Sequence, residues 1–190
     1  KALHNKRVNL IYELMKNFQN TFISINFSNK LIFILILRLI SSVFKFKILK
    51  KIIFLYKLIY IYLFSKKPVF GVEMFNLVSK SKILINTHID DTEYAGNMRL
   101  FEGTGLGCLV LTDYKKDLDK LFKIGNEIDV YENERDLIEK CKYYLSNEKK
   151  LNTVSALGQR KTIENYNYEK RILILDQYIK EKLKSNKKKI

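Results

Sequence analysis

Hydrophobic and polar positions change their rhythm several times along this chain. Residues 5–18, "NKRVNLIYELMKNF", repeat apolar side chains at helical spacing and predict a helix. "TFISINF" (21–27) alternates and is rich in β-branched and aromatic residues, which predicts a strand. Residues 31–64 break the rhythm, because two apolar runs, "LIFILILRLISSVF" and "IIFLYKLIYIYLF", flank the basic "KFKILKK". Each run falls short of the roughly 20 apolar residues that a bilayer-spanning helix needs, and Arg38 and Lys57 interrupt them. Two amphipathic or buried helices are expected instead, within a basic, apolar segment at about 30–66.

After Pro68 the pattern becomes regular. A helix is expected at 72–81, a strand at 82–88, a polar loop, a short helix at 97–105 and a strand at 108–113. "LDKLFKIG" predicts a helical turn with Gly125 as its C-cap, and "EIDVY" (127–131) predicts a strand. "ENERDLIEKCKYYLSN" predicts a helix that begins with acids and ends with bases, as a helix macrodipole favours. Two further helices are expected at about 148–164 and 168–185. Short strands alternating with helices predict an α/β fold: a Rossmann-like parallel sheet with helices on both faces.

Composition narrows the class. At 190 residues, with 47% hydrophobic and 29% charged positions, the chain can bury one good core. One proline and seven glycines leave little room for linkers. The chain opens on Lys1 without a signal peptide and is read as a piece of something longer. Its net charge of +15 calls for an anionic partner: membrane lipid, nucleic acid or a phosphorylated ligand. The charge is uneven. No acid occurs between Glu13 and Glu73, whereas Lys16, Lys30, Arg38, Lys45, Lys47, Lys50, Lys51, Lys57, Lys66 and Lys67 fall inside that window. Cys108 and Cys141 lack metal spacing and are expected to be reduced packing residues, which favours a cytoplasmic location. His4 and His88 are too isolated for a metal site, and the Asp90–Asp91 pair lacks a third ligand, so no metal is expected. Nucleic acid suits the charge but ranks third and is not the expected partner, because the aromatics at 44–64 sit in an apolar pattern and are not interleaved as a stacking platform.

The chemistry concentrates in "NMRLFEGTGLGCLVLTD", Asn97 to Asp113. In a parallel α/β sheet, ligands bind beyond the carboxyl ends of the strands, and a helix N-terminus there offers N–H groups to a phosphate. Asn97 and Arg99 fall in the first turn of the expected helix, and an arginine grips phosphate bidentately. Glu102, a turn later, can accept hydrogen bonds from ribose hydroxyls, and Gly103 and Gly105 would let the backbone come close to a ligand. The ordinary alternative is that Gly105 caps the helix, Gly107 makes a turn, and Arg99 and Glu102 form a solvated pair. Asn86, Thr87 and His88 end one strand at that edge; Thr112 and Asp113 end the next, where Asp113 could instead cap a turn. Glu73 either meets the sugar or simply favours a helix dipole.

The stretch "PVFGVEMFNLVSKSKILINTHID…NMRLFEGTGLGCLVLTDYKKDLDKLFKIGNEIDVY", with the late "GQRKTIENYNYEKRI", resembles the donor-binding half of the CgeB-type (spore maturation protein B-like) group-1 glycosyltransferases. The resemblance runs from about Pro68 to Leu175 and departs where Asn165 and Tyr166 replace a common histidine. It implies the C-terminal half of a GT-B fold, residues 1–190 forming a single donor-binding domain, with the N-terminal acceptor domain missing and this part inactive alone. It implies a hexosyltransferase-type enzyme acting on a nucleotide-activated sugar without a metal cofactor, and the basic apolar segment suits an acceptor that is a surface or lipid-linked glycan. Asn97, Arg99, Glu102, Gly103, Gly105, His88 and Thr112 become the expected substrate-binding residues. Related enzymes carry E-x7-E; Glu102 matches the second glutamate, Tyr94 stands at the first, and Glu93 is one residue off. The alternative is a non-enzymatic basic module bound to an anionic membrane surface. It explains the acid-free segment and leaves the Arg–Glu–Gly cluster unexplained. An enzyme with this segment is expected in the cytoplasm, peripheral on the inner face of the membrane.

Overall fold

The structure, a computed structural model, describes residues 5–19, 21–23, 48–88 and 93–187. In chain order the elements are α1 (Asn5–Asn17), α2 (Ile48–Phe64), α3 (Gly71–Ser79), β1 (Ile83–Asn86), α4 (Met98–Gly105), β2 (Leu109–Asp113), α5 (Leu118–Leu121), β3 (Asp129–Tyr131), α6 (Glu134–Ser146), α7 (Glu148–Asn165) and α8 (Tyr168–Lys187). The chain divides into two compact units, Lys1–Met74 with Asn133–Lys140, and Phe75–Glu132 with Cys141–Ile190.

In the first unit, α1 packs on α2. Val8, Ile11, Tyr12 and Met15 recur at helical spacing on one face of α1 and meet Phe54, Leu58 and Ile61, which share one face of α2. Lys57 Nζ donates to Asn9 Oδ1 at 2.9 Å and lies 5.0 Å from the centre of the Tyr12 ring. α2 takes in residues 48–51 of "KFKILKK", where nothing in the sequence breaks a helix. The strand expected at 21–27 is not formed over 21–23, where the Ile23 carbonyl accepts from Lys66 N at 2.7 Å; the remainder, and the apolar run 31–44, lie outside the described residues.

The second unit holds a three-stranded parallel sheet in the order β1-β2-β3. Ile83 pairs with Leu109 and Asn86 with Thr112 across β1–β2, while Leu111 pairs with Asp129 and Asp113 with Tyr131 across β2–β3. All five residues of β2 are buried. Successive strand residues point to opposite faces, so both faces of the sheet are covered, as the α/β reading required. On one face Leu84 and Val110 lie side by side under α4, and Leu100, Leu118, Phe122 and Ile128 complete that core. The rings of Phe101, Phe122 and Tyr166 close it, with centroids 5.0 to 5.9 Å apart.

α7 docks on α4 through small and polar side chains. Thr104 and Thr162 share a hydroxyl hydrogen bond of 2.7 Å, Gln159 Nε2 donates to the Gly105 carbonyl at 3.2 Å, and Gly158 lies against the Glu127 backbone. Tyr166, in the region where the resembled family commonly has a histidine, packs in the core and donates to the Leu121 carbonyl at 2.7 Å. Two smaller expectations are corrected. Gly125 does not cap a helix: α5 ends at Leu121 with Phe122 extended, and Gly125, at φ +80°, makes a turn whose N–H reaches the Ile128 carbonyl. α6 carries Glu134 and Asp136 in its first turn, but its last turn has no base.

Candidate functional site

The alternation that packs Leu84 and Val110 under α4 continues one step further along each strand. It places Asn86 and Thr112 on the same face, at the carboxyl ends of β1 and β2, with polar side chains where the core stops. Asn97 is the N-cap of α4, its Oδ1 accepting from Leu100 N at 3.2 Å. Its Nδ2 donates to Asn86 Oδ1 at 2.9 Å, and Asn86 Nδ2 donates to Thr112 Oγ1 at 3.0 Å. This chain of amides ties the N-terminus of α4 to the ends of both strands. The first-turn N–H groups of a helix lack intrahelical acceptors, and here Asn97 Oδ1 takes that of Leu100 at this edge.

His88 and Asp113 extend the network. Asp113 Oδ1 accepts from His88 backbone N at 2.8 Å and lies 2.9 Å from His88 Nδ1. Burial by itself would raise the Asp113 carboxyl; the hydrogen bonds from the His88 side chain and backbone outweigh it and hold its pKa below the ordinary value. One carboxylate oxygen of Asp113, Oδ1, thus holds both the His88 ring and its backbone N–H. Tyr131, at the end of β3, donates its hydroxyl hydrogen to the Asn86 carbonyl at 2.8 Å and bonds Thr87 Oγ1 at 2.8 Å. Sequence reasoning missed Tyr131; the available signal was its position at the end of a third strand on the same edge.

Arg99 and Glu102 stand in the first and second turns of α4, with Arg99 Nη1 2.8 Å from Glu102 Oε2. Their side chains are 53% and 18% exposed, so the arginine is reachable by a ligand and the carboxylate is half sheltered. Glu93 pairs with Lys116 on the surface, and Tyr94 is exposed. Glu73 is exposed in the first turn of α3.

The structure gives the glycines packing roles. A Cβ on Gly103 would lie 2.8 Å from Val110 Cγ2 and 3.1 Å from Leu84 Cδ2, so this glycine lets α4 rest on the sheet. Gly105 faces Thr162 Cγ2 at 3.4 Å, on the α7 side. Gly107, at φ +83°, is the left-handed residue that ends α4: its N–H reaches the Thr104 carbonyl and Cys108 N–H reaches the Gly103 carbonyl, the paired bonds of a Schellman motif. Gly105 is therefore not the cap. Gly103 and Gly105 lie toward the C-terminal end of α4, away from the Asn97–Asn86–Thr112 chain.

Cys108 and Cys141 are free and buried, and desolvation raises their thiols to about 11 and about 12. Among the described residues no three His, Cys, Asp or Glu side chains gather as a metal site would need; Asp90 and Asp91 lie outside them. Among the described residues no helix is long and apolar enough to cross a membrane.

The fold and site define a parallel α/β domain whose polar groups gather at the carboxyl ends of its strands, under a helix N-terminus. Residues 60–177 match the glycosyl transferase-like family, and the chain belongs to that family. No curated protein sequence matches it. Among solved structures, a glycosyltransferase from Rickettsia africae ESF-5 superposes with a TM-score of 0.66 at 16% identity, over 97% of this chain and 46% of the other. Anabaena Alr3699/HepE superposes with a TM-score of 0.56, at 15% identity in complex with UDP and glucose and 13% in complex with UDP-glucose. Both HepE comparisons cover 94% of this chain and 55% of that protein. The chain thus spans about half the length of these structures, and its fold is the GT-B-like α/β fold expected from the sequence.

Proposed function

We propose that this chain is the donor-binding half of a CgeB-type glycosyltransferase that takes a nucleotide-activated hexose. The observation carrying this reading is the hydrogen-bonded chain Asn97–Asn86–Thr112, which holds the N-terminus of α4 at the carboxyl edge of the sheet with Arg99 in its first turn. That is the geometry a diphosphate needs: N–H groups with a partial positive charge, and a guanidinium within reach. In the reaction an acceptor hydroxyl oxygen bonds to the anomeric carbon, and the bond from that carbon to the phosphate oxygen breaks. The electron pair leaves on the nucleoside diphosphate, and the hydroxyl proton passes to a base of the acceptor half. Arg99 and the helix N-terminus stabilise the charge building on the leaving group, and Glu102 receives ribose hydroxyls. His88 and Thr112 border the same donor site. Catalysis uses no bound metal, since these groups neutralise the diphosphate. HepE's complexes with UDP and UDP-glucose support a sugar nucleotide as ligand. Gly103 and Gly105 act by packing α4 in place. The acceptor half is the partner that completes the enzyme, and its acceptor is a surface or lipid-linked glycan.

The test is a thermal-shift and calorimetric screen of the full-length protein against nucleoside diphosphates and their sugars. A rise in Tm with one nucleotide family, stronger for diphosphate than for nucleoside, is the expected result; no shift with any of them refutes the reading.

A second reading is attachment to the inner face of the membrane. α2 turns Phe54, Leu58 and Ile61 toward α1, while Ile52, Tyr56, Ile59 and Leu63, half a turn around, are 43 to 66% exposed. A helix apolar on both sides, in an acid-free basic stretch, suits an anionic lipid surface.

A further inference from the structure

His88 Nε2 is the one buried side-chain nitrogen or oxygen among the described residues that lacks a hydrogen-bond partner. The residue is 3% exposed, and a polar atom sealed from water without a partner is costly to the fold. Its neighbours are all engaged with one another: Asn97 with Asn86, Asn86 with Thr112 and Tyr131, and Tyr131 with Thr87. The imidazole belongs to the same network, with Nδ1 2.9 Å from Asp113 Oδ1 and 3.5 Å from Thr112 Oγ1.

The tautomer follows from the partners. An ionised carboxylate only accepts, so Nδ1 carries the hydrogen and donates to Asp113. In the neutral ring Nε2 then presents a lone pair. Asp113 also accepts from the His88 backbone N–H, which fixes the ring and the main chain to one oxygen. The result is an oriented acceptor beside the strand ends where α4 begins.

We infer that His88 Nε2 accepts a hydrogen bond from an O–H or N–H group of the bound nucleotide sugar, with Asp113 as the positioning residue that fixes the tautomer. This rests on the donor-binding reading above and adds to it a contact that carries no charge and so does not depend on the phosphates. The group supplying the hydrogen belongs to the base, the ribose or the transferred sugar, and the ligands used in the test separate these.

In the full-length protein the imidazole nitrogens of His88 are assigned as the signals that a His88→Gln variant lacks. Long-range proton–nitrogen NMR of the free protein is expected to give the Nδ1–H tautomer for His88. Adding ligand is expected to move Nε2 upfield, as for a lone pair that gains a donor. A shift with uridine points to base or ribose, and a shift confined to UDP-glucose, with UDP as control, points to the sugar. His88→Leu should weaken binding about tenfold and His88→Gln, which keeps an acceptor, by less than about threefold. If His88→Leu fails to fold, the wild-type spectra decide. An Nε2–H tautomer, or ligand binding seen at the amides of the first turn of α4 with Nε2 unmoved, overturns the inference and leaves the donor site standing. No binding by any ligand refutes the donor-binding reading and this contact with it.

Discussion

Gly158 of α7 lies so close to Glu127 that a Cβ there would overlap the Glu127 carbonyl oxygen. The obstacle is backbone, which cannot swing aside as a side chain can. Gly158→Ala gains about 0.5–1 kcal/mol of helix propensity but forces overpacking that costs about 1–3 kcal/mol or more. The clash is the larger effect, so urea unfolding should report net destabilisation.

Gly105→Ala is the contrasting case. Its Cβ would meet Thr162 Cγ2 at 3.4 Å, an ordinary contact, so stability should hold or rise by up to about 1 kcal/mol. Nucleotide affinity should not change. A drop in affinity without loss of stability would return Gly105 to the ligand site.

Arg99→Ala should weaken a nucleoside diphosphate more than the nucleoside, by about 1.5–3 kcal/mol for a charged hydrogen bond. Its exposed pairing with Glu102 itself contributes little to stability. Isothermal titration with both ligands checks this, and equal losses would remove the phosphate role.

Acid should probe the Asp113–His88 pair. The folded pKa of Asp113 is depressed, so its stabilisation is present above the unfolded value of about 3.9 and is lost as pH falls through the folded value. Asp113→Asn should cost about 1–3 kcal/mol at pH 7. The gap to wild type should narrow below about pH 4, because protonation then removes the same charge. Urea titrations at several pH values measure it; a gap that does not change with pH would sever the link to His88.

Cys108 and Cys141 should resist a thiol reagent at pH 8, since burial holds them at about 11 and about 12. Both should react at once in denaturant. Rapid labelling of the native protein would show that these positions open.

If α2 rests on lipid, the protein should float with vesicles containing anionic lipid and be released by salt, which screens exposed charges beyond about 8 Å at physiological strength. Leu63→Asp with Ile59→Asp should abolish flotation at low salt. Unchanged flotation would point to another surface.

The elements after Pro68 were legible from sequence because helices and strands of this kind are local periodicities: "KILINTH" and "CLVLTD" could be read as strands and "NMRLFE" as a helix start without knowing what they touch. The carboxyl edge was legible too, since strand direction and the helix that follows define it. Pairings were not. Asn86 meets Thr112 across 26 positions and His88 meets Asp113 across 25, and only the β1–β2 register decides this, because a slip of one residue would turn Thr112 to the other face. The glycines were not legible for the same reason. A glycine's spacing announces that something comes close, but whether that is a ligand or, as for Gly103, the Val110 and Leu84 side chains depends on which surfaces the tertiary fold brings together.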